Sequence, residues 1–190
     1  MYIEEYTFSR KVSLATIGVC VFVRLTSVAA LFIFSELFMN IYTVCFIGHR
    51  EIPDIRETEE KLQKVIEDLI RQKEYVEFYV GRNGDFDISV ASAVKRAQNK
   101  CGHENSSLIL VLPYKNKDIE YFKYYYDEVM LPIPPKTHFK AAIKKRNEWM
   151  ADNSDMLIAY VSKESGGAYE MLKYAESQKT TIIKINNLIF

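Results

Sequence analysis

From residue 39 to the end of the chain, apolar runs with strand character alternate with segments of helical period. The runs typical of strands cover residues 41–47, 76–80, 108–112, 128–131, 156–161 and 181–185. The helical segments between them cover residues 54–72, 87–97, 138–153 and 168–177. The run IYTVCFI at 41–47 is almost continuously apolar, as a central parallel strand covered on both faces should be. The alternation therefore predicts an α/β fold with a doubly wound, mainly parallel sheet and helices on both faces.

Two aspartates are predicted helix N-caps. Asp54 opens the sequence Asp-Ile-Arg-Glu directly after Pro53, which is the pattern of a capping box. Asp87 precedes apolar residues at helical spacing and is the expected N-cap of the next helix.

The balance of charge limits the partners that the chain can attract. Its 190 residues include 25 Lys plus Arg and 25 Asp plus Glu, so no net field draws it toward nucleic acid or an anionic membrane. The three cysteines, Cys20, Cys45 and Cys101, are widely spaced without a CxxC pair, which argues against a disulfide framework or a zinc site. We therefore expect a cytoplasmic protein without a metal or cofactor, and the sequence leaves formation of a homo-oligomer open.

Residues 1–38 form an apolar extension that differs from the rest of the chain. Residues 13–38 are long enough to span a bilayer and are interrupted only by Arg24 and Glu36. A central Arg costs roughly 2.5 to 3.5 kcal/mol on insertion, which the apolar neighbours are able to offset. Three interpretations stay open: a membrane anchor, a helix packed on the fold, and dispensable upstream sequence translated before a natural start at Met39. The predicted domain boundaries are 1–38 for the extension and 39–190 for the α/β domain.

Glycine occurs at three junctions where a predicted strand is followed by a helix. In open parallel sheets, ligands bind beyond the carboxyl ends of the strands, where glycine allows close approach and helix N-termini attract anions. The residues at these junctions that we expect to contact a ligand are Gly48, His49, Arg50, Gly84, Asp87, Gly166 and Gly167. Each junction alone is also compatible with an ordinary turn or connector. Their occurrence at corresponding strand ends favours a binding site.

Arg146 interrupts the apolar pattern of its own helix. One face of that helix carries Phe139, Ile143, Arg146 and Met150. This spacing places the Arg146 guanidinium on the side that faces the sheet, where a charge needs a partner. The partner is either a protein carboxylate such as Asp152 or Asp155, or the phosphate or carboxylate of a ligand.

Other patterns carry less weight. The stretch YFKYYY at 121–126 has the composition of a base-stacking platform, but tyrosines this dense on a short helix more often pack at the edge of a core. Cys101 and His103 lack the accompanying pair that a metal site needs. No Ser, His and Asp set has the local context of a catalytic nucleophile.

Taken together, several of these motifs resemble a known family. They are FIGHR at 46–50, GDFD at 84–87, RNEWM at 146–150, Ser154-Asp155, and the pair Gly166-Gly167. In this combination they resemble the YpsA-like group of the SLOG superfamily, which includes the Lonely Guy phosphoribohydrolases and the DNA-processing DprA/Smf proteins. The resemblance covers residues 41–186. It implies a Rossmann-like domain with a pocket for a nucleotide or nucleotide-derived molecule.

The enzymatic branch of that superfamily allows a finer comparison. Lonely Guy enzymes have an Arg-Lys pair, a nearby Met, a Ser-Asp and a GGxGTxxE stretch that supplies a catalytic Glu. The residues similar to that framework are Arg146, Met150, Ser154, Asp155, Gly166 and Gly167. The chain departs from it because Asn147 replaces the Lys, the GT is missing, and Glu170 follows the glycine pair too early.

Two functions from different classes follow. The first is binding or sensing of a nucleotide-derived ligand, with Arg146 and Asn147 added to the junction residues. The second is an N-glycosidase that releases the base from a nucleoside 5'-monophosphate. There Arg146 would bind phosphate, and Glu170 or Asp87 would stabilise the positive charge on the sugar. A weaker third possibility is single-stranded DNA binding, against which the neutral charge counts.

Overall fold

A computed structural model of the chain describes residues 39–178 and 180–188. Its centre is a six-stranded sheet in which every pairing is parallel and the strand order is β4-β3-β2-β1-β5-β6. The strands are β1 Ile41–Gly48, β2 Tyr75–Val80, β3 Ser106–Val111, β4 Glu128–Met130, β5 Met156–Tyr160 and β6 Thr181–Lys184. The helices are α1 Ile55–Gln72, α2 Asp85–Cys101, α3 Ile119–Phe122, α4 Phe139–Asp152 and α5 Gly167–Ser177, with a 3-10 turn at Ile185–Asn187. The predicted doubly wound α/β sheet is confirmed.

The strand order reverses between β1 and β5. The first half of the sheet grows from β1 toward β4 on one side, and the chain then crosses back to place β5 on the other side of β1. A crevice forms at the carboxyl ends of the strands at such a reversal, and ligands of open α/β sheets bind there. The topology therefore predicts a binding site at the segments that follow β1 and β5.

Two hydrophobic layers cover the two faces of the sheet. On β1, Val44 and Phe46 pack into the layer formed with α1 and α2, while the alternate residue Cys45 packs into the layer formed with α4 and α5. The three side chains are at most 2% exposed. Burial on both faces explains why β1 is an unbroken apolar run rather than an alternating one.

Helix α1 begins as its sequence predicts. The Asp54 carboxylate accepts a hydrogen bond from the Glu57 backbone N–H at 2.8 Å, which satisfies one of the donors that a helix start leaves free. Such a cap stabilises a protein by about 0.5–2 kcal/mol. Leu62, Ile66 and Ile70 then line the buried face at 0–1% exposure.

The predicted cap of α2 is wrong by three positions. The helix starts at Asp85 with Gly84 as its N-cap, and Asp87 lies in its first turn. The early start is fixed from outside the helix, because the Asp85 N–H donates to the Arg50 carbonyl at 2.7 Å. The Asp87 carboxylate instead accepts a bond from the Asn83 backbone N–H at 2.7 Å.

Helix α4 buries one face, but not at its first residue. Arg146 and Met150 are 5% and 3% exposed, as the spacing predicts, but Phe139 is 55% exposed. Phe139 is the first residue of the helix, where it lies beside His138 with 4.8 Å between the ring centres. The expectation that Phe139 shares the buried face is therefore wrong.

The aromatic stretch at 121–126 divides into two groups. Phe122 and Tyr126 are buried against the α1 and α2 layer, whereas Tyr121, Tyr124 and Tyr125 are exposed. The first group supports the edge of the core, as the packing interpretation expects.

No helix within residues 39–178 and 180–188 combines the length and the apolar character needed to cross a membrane. Residues 13–38, on which the prediction of an anchor rests, lie outside the described residues. The interpretations of the extension, and the cytoplasmic location, stay predictions.

A buried carboxylate links α1 to α2 and makes stability depend on pH. Glu67 accepts hydrogen bonds from Lys100 of α2 and from Gln63 and Arg71 of its own helix at 2.9–3.0 Å. The bond from Lys100 contributes most to lowering the pKa of Glu67 below its ordinary value of 4.5, and burial opposes it. A carboxylate with a lowered pKa in the folded state stabilises the protein above the pKa of the unfolded state, and this stabilisation disappears as the pH falls through the folded value.

We expect Glu67→Gln to lower the melting temperature at pH 7, because the ion pairs with Lys100 and Arg71 are lost. Between pH 5 and pH 3 the difference between the two proteins should narrow, since protonated Glu67 resembles the Gln side chain. Thermal unfolding of the full chain over this pH range measures the effect. A difference that stays constant down to pH 3 would contradict the role of Glu67.

Candidate functional site

A cavity of about 280 Å³ opens at the carboxyl ends of β1 and β2. We call it the central cavity. Its lining consists of Phe46, Ile47, Gly48, His49, Arg50, Asn83, Gly84, Asp87, Ile143, Arg146, Asn147, Gly167 and Ala168. Eight of the nine residues predicted from sequence to contact a ligand are in this lining. The ninth, Gly166, is adjacent in sequence but does not line the cavity.

Gly84 allows two of the junctions to touch. A Cβ atom on Gly84 would lie 2.4 Å from the Arg50 Cα and 2.7 Å from the Arg50 carbonyl oxygen, and its φ is +157°. Only glycine permits this backbone contact, which also brings the Asp85 N–H to the Arg50 carbonyl. The contact fixes Arg50 at the cavity, where its exposed side chain has no hydrogen-bond or ion-pair partner among the described residues.

Arg146 brings a buried positive charge to the central cavity. Its Nη1 donates to the Val111 carbonyl at 3.3 Å and to the Met150 sulfur at 3.7 Å. Its Nε is buried without an acceptor among the described residues. A guanidinium has five N–H donors and stays charged at any ordinary pH, so this set of neutral acceptors leaves it largely unsatisfied.

Neither of the carboxylates considered from sequence pairs with Arg146. Asp152 accepts hydrogen bonds from the Tyr174 hydroxyl at 2.9 and 3.1 Å, and Asp155 accepts from the Thr43 backbone N–H at 2.9 Å. Both carboxylates therefore serve other elements. The sequence left open whether the partner of Arg146 is a protein carboxylate or a ligand anion, and neither of the two protein carboxylates named there pairs with it.

The carboxylate that does approach Arg146 is Asp87, across Gly81. A Cβ on Gly81 would lie 2.4 Å from the Arg146 Nη1 and 2.5 Å from an Asp87 carboxylate oxygen. The Arg146 guanidinium and the Asp87 carboxylate form no ion pair within 4.0 Å. Both side chains line the central cavity, which stays open between them. Burial raises the pKa of Asp87, although Arg146 and the Asn83 N–H act to lower it. Burial likewise lowers the pKa of Arg146.

His49 connects the end of β1 to the segment after β5. Its backbone N–H donates to the Tyr160 carbonyl at 3.3 Å, and its Nε2 accepts from the Lys163 backbone N–H at 3.2 Å. Burial, together with the charge of Lys163, lowers the pKa of His49 below 6.5. The lowered pKa favours the neutral imidazole, whose Nε2 accepts from Lys163 and positions this segment.

The glycine pair before α5 has two different roles. Gly166 has φ +86°, a left-handed conformation that L side chains rarely adopt, and its carbonyl accepts from the Glu170 N–H at 3.0 Å. Gly167 begins α5 and lines the central cavity. The start of α5 thus presents free backbone N–H groups next to Arg146.

Glu170 lies in a different cavity. A space of about 660 Å³ between α4 and α5 is lined by Lys140, Ile143, Lys144, Asn147, Glu148, Gly167, Tyr169, Glu170, Met171, Lys173 and Tyr174. We call it the α4–α5 cavity. Arg146 does not line this cavity. Of the two carboxylates named for the glycosidase, Glu170 therefore shares no cavity with the guanidinium, whereas Asp87 shares the central cavity with it.

Two residues near the central cavity are not among the nine predicted to contact a ligand. Asn83 lines the cavity, and its backbone N–H donates to the Asp87 carboxylate. Gly81 does not line it but leaves the space between Arg146 and Asp87. Their position in a glycine-containing loop directly after β2 is the signal that marks them. The described residues include no group of three or more His, Cys, Asp or Glu side chains arranged to bind a metal ion.

Comparisons with known proteins extend this picture of the fold. No family model matches the chain, and no curated protein matches it. Among solved structures, it is similar to DNA processing protein A (DprA) from Streptococcus pneumoniae, with 16% identity and a TM-score of 0.57. The match covers 75% of this chain and 49% of that one.

Two further structures are similar. DprA from Helicobacter pylori, whose structure describes a single-stranded DNA binding mode, has 12% identity and a TM-score of 0.54, and the match covers 74% of this chain and 63% of that one. The molybdenum cofactor carrier protein from Chlamydomonas reinhardtii has 12% identity and a TM-score of 0.51, with 75% of each chain covered. The chain thus spans about half to two thirds of the DprA proteins. It shares the Rossmann-like α/β fold of these proteins, as its motifs predict.

Proposed function

We propose that the protein binds or senses a nucleotide or nucleotide-derived ligand, whose phosphate lies in the central cavity. The observation that carries the proposal is the buried Arg146 guanidinium, which lines an open cavity and has no carboxylate of residues 39–178 or 180–188 within ion-pair distance. A buried charge without a partner is costly, and a ligand anion would offset that cost.

The backbone around Arg146 supports an anionic ligand. The cavity is lined by Gly84 at the N-terminus of α2 and by Gly167 and Ala168 at the N-terminus of α5. Helix N-termini have free N–H groups and a partial positive charge, which together favour phosphate. The start of α5 and Arg146 therefore line one cavity, whereas at the start of α2 the Asp85 N–H already donates to the Arg50 carbonyl. The resemblance to the YpsA-like group, whose expected ligands are nucleotide-derived, is consistent with this assignment.

The similar structures support ligand binding in a general way. One concerns a protein that binds single-stranded DNA and another a carrier of the molybdenum cofactor. The first of these counts against our sequence-based expectation that nucleic acid is not a partner. An oligonucleotide therefore belongs in the same binding experiment as the nucleotides.

The experiment is a thermal-shift panel on the full chain with AMP, GMP, ADP, NAD, ADP-ribose and a short single-stranded oligonucleotide. A ligand at 100 times its Kd adds about 2.7 kcal/mol to the free energy of unfolding. For a chain of this length that corresponds to roughly 5–10 °C in melting temperature. No shift with any nucleotide would refute the proposal.

The alternative function, release of the base from a nucleoside 5'-monophosphate, makes a separate prediction. Glycosidic cleavage needs a carboxylate close to the anomeric carbon, and a misplacement of about 1 Å costs roughly 100-fold in rate. Glu170 lines the α4–α5 cavity rather than the central one. We therefore expect no free base after long incubation with AMP, GMP or CMP, measured by chromatography.

Base release would favour the enzyme only if it depends on these residues. Release of base that both Arg146→Ala and Glu170→Gln abolish would establish a phosphoribohydrolase in which Arg146 binds phosphate and Glu170 is the carboxylate. Release abolished by Asp87→Asn but not by Glu170→Gln would identify Asp87 as the carboxylate. Either outcome would show turnover and overturn the expectation of binding alone.

A further inference from the structure

Three cavities share lining residues around α4. The central cavity shares Asn83, Ile143 and Arg146 with a cavity of about 250 Å³ next to the end of β3, which we call the β3-side cavity. It shares Ile143, Asn147 and Gly167 with the α4–α5 cavity. Because Ile143 lines all three, the cavities are neighbours, and Arg146 lines both the central cavity and the β3-side cavity.

The central cavity is small for a nucleotide. Pockets that enclose drug-sized ligands have volumes of roughly 300–1,000 Å³, and this cavity has about 280 Å³. This volume lies at the lower end of that range, so we expect a nucleotide whose phosphate contacts Arg146 to extend its base into a neighbouring cavity. The structure offers one such cavity on each side.

The α4–α5 cavity suits a planar, partly apolar group. Ile143 and Met171 form apolar lining, and Tyr169 and Tyr174 contribute aromatic rings. The Lys173 ammonium lies 5.6 Å from the centre of the Tyr169 ring. An aromatic side chain with a cation beside it is the usual surface on which a base of a phosphorylated ligand stacks.

The β3-side cavity repeats this combination with other residues. Tyr114 and Phe122 contribute rings, and Arg82 contributes a positive charge. The Arg82 guanidinium lies 4.7 Å from the centre of the Phe122 ring and donates to the Tyr126 hydroxyl at 3.2 Å. This flank therefore has an aromatic group and a cation held in place by its neighbours.

We propose, building on the proposed function, that the ligand is double-ended: two nucleosides joined through a central phosphate bridge. The bridge binds at Arg146, one base lies in the α4–α5 cavity, and the other lies in the β3-side cavity. This chemistry occurs in free dinucleotides with a pyrophosphate bridge and in the dinucleotide units of single-stranded nucleic acid.

The test compares ADP with diadenosine diphosphate by calorimetric titration of the full chain. Both ligands have a pyrophosphate, but only the second has two adenosines. Stacking of one more base on an aromatic side chain should tighten binding by about five-fold to a hundred-fold. The phosphodiester-linked dinucleotide ApA, titrated in parallel, distinguishes a unit of nucleic acid from a free pyrophosphate-bridged ligand.

Variants on each flank locate the two bases. Tyr114→Ala and Tyr169→Ala should each raise the Kd for diadenosine diphosphate by about ten-fold. Only one of the two substitutions should raise the Kd for ADP. Tyr124→Ala is the matched control, because Tyr124 is 90% exposed and lines none of the three cavities. Melting curves without ligand check that each variant is folded.

The possible failures are distinguishable. Equal affinity for ADP and diadenosine diphosphate, with both lost in Arg146→Met, would overturn the double-ended ligand and leave the proposed function intact. If either Tyr114→Ala or Tyr169→Ala leaves the Kd for diadenosine diphosphate unchanged, the double-ended ligand is also overturned. Absence of binding by any of the nucleotides would refute the proposed function itself.

Discussion

Arg146→Met should abolish nucleotide binding while leaving the unliganded protein as stable as the wild type or more stable. Met replaces a desolvated charge with a side chain of similar length that suits an apolar face. Loss of one member of a buried, hydrogen-bonded charge pair costs about 2–5 kcal/mol of binding free energy, or at least about thirty-fold in Kd. Titration with ADP and thermal unfolding without ligand measure the two effects.

Lys145→Met is the matched control for this substitution. Lys145 is the preceding residue of α4, is exposed, and lines none of the three cavities. Lys145→Met should change neither the Kd for ADP nor the stability of the unliganded protein appreciably. Arg146→Met also tests the role of Asp87, because it removes the charge that acts to lower the pKa of this buried carboxyl. If Arg146→Met instead destabilises the unliganded protein by several kcal/mol, Arg146 and Asp87 form a structural pair and the site has been misassigned.

Gly84→Ala should destabilise the fold strongly. The added Cβ would lie 2.4 Å from the Arg50 Cα, and backbone atoms cannot move aside as the end of a side chain can. Overpacking and backbone strain each cost about 1–3 kcal/mol, so we expect a loss of about 2–4 kcal/mol. In a chain of this length the melting temperature should fall by roughly 5–15 °C.

Gly167→Ala tests whether this loss is specific to Gly84. A Cβ on Gly167 would meet no described atom within 4 Å, although this glycine also lines the central cavity. We expect a change within about 0.5 kcal/mol, or a small gain from reduced chain entropy in the unfolded state. Equal losses for the two variants would show that the contact between Gly84 and Arg50 is not the cause.

The fold could be predicted from sequence because its signals are local. The apolar run of β1, the cap at Asp54 and the helical spacing of Leu62, Ile66 and Ile70 each lie within a few residues. The structure places these elements within one or two residues of the prediction. Two local predictions are wrong. Asp87 is not the N-cap of α2, because the bond from the Asp85 N–H to the Arg50 carbonyl starts the helix earlier. Phe139 is not on the buried face of α4, because it is the first residue of that helix and lies exposed.

The arrangement of the site could be predicted only in part. Glycines at strand ends mark the edge of the sheet, and a charge on a buried helix face marks Arg146. The approach of Asp87 to Arg146 depends on the space left by Gly81, which only the packed structure gives. The same is true of Glu170, since its direction depends on how α5 starts at the left-handed Gly166.

The pairing of β1 with β5 has a consequence for how the protein is made. Thr43 and Asp155, which are joined by a hydrogen bond at this pairing, are 112 residues apart in the chain. A ribosome that adds about 5–20 residues per second needs on the order of 5–20 s to synthesise that interval. The strands from β1 to β4 are therefore complete while Arg146 and α5 are still unmade. The lining of the central cavity is complete only once the start of α5 has been synthesised, which is after strands β1 to β5 and before β6.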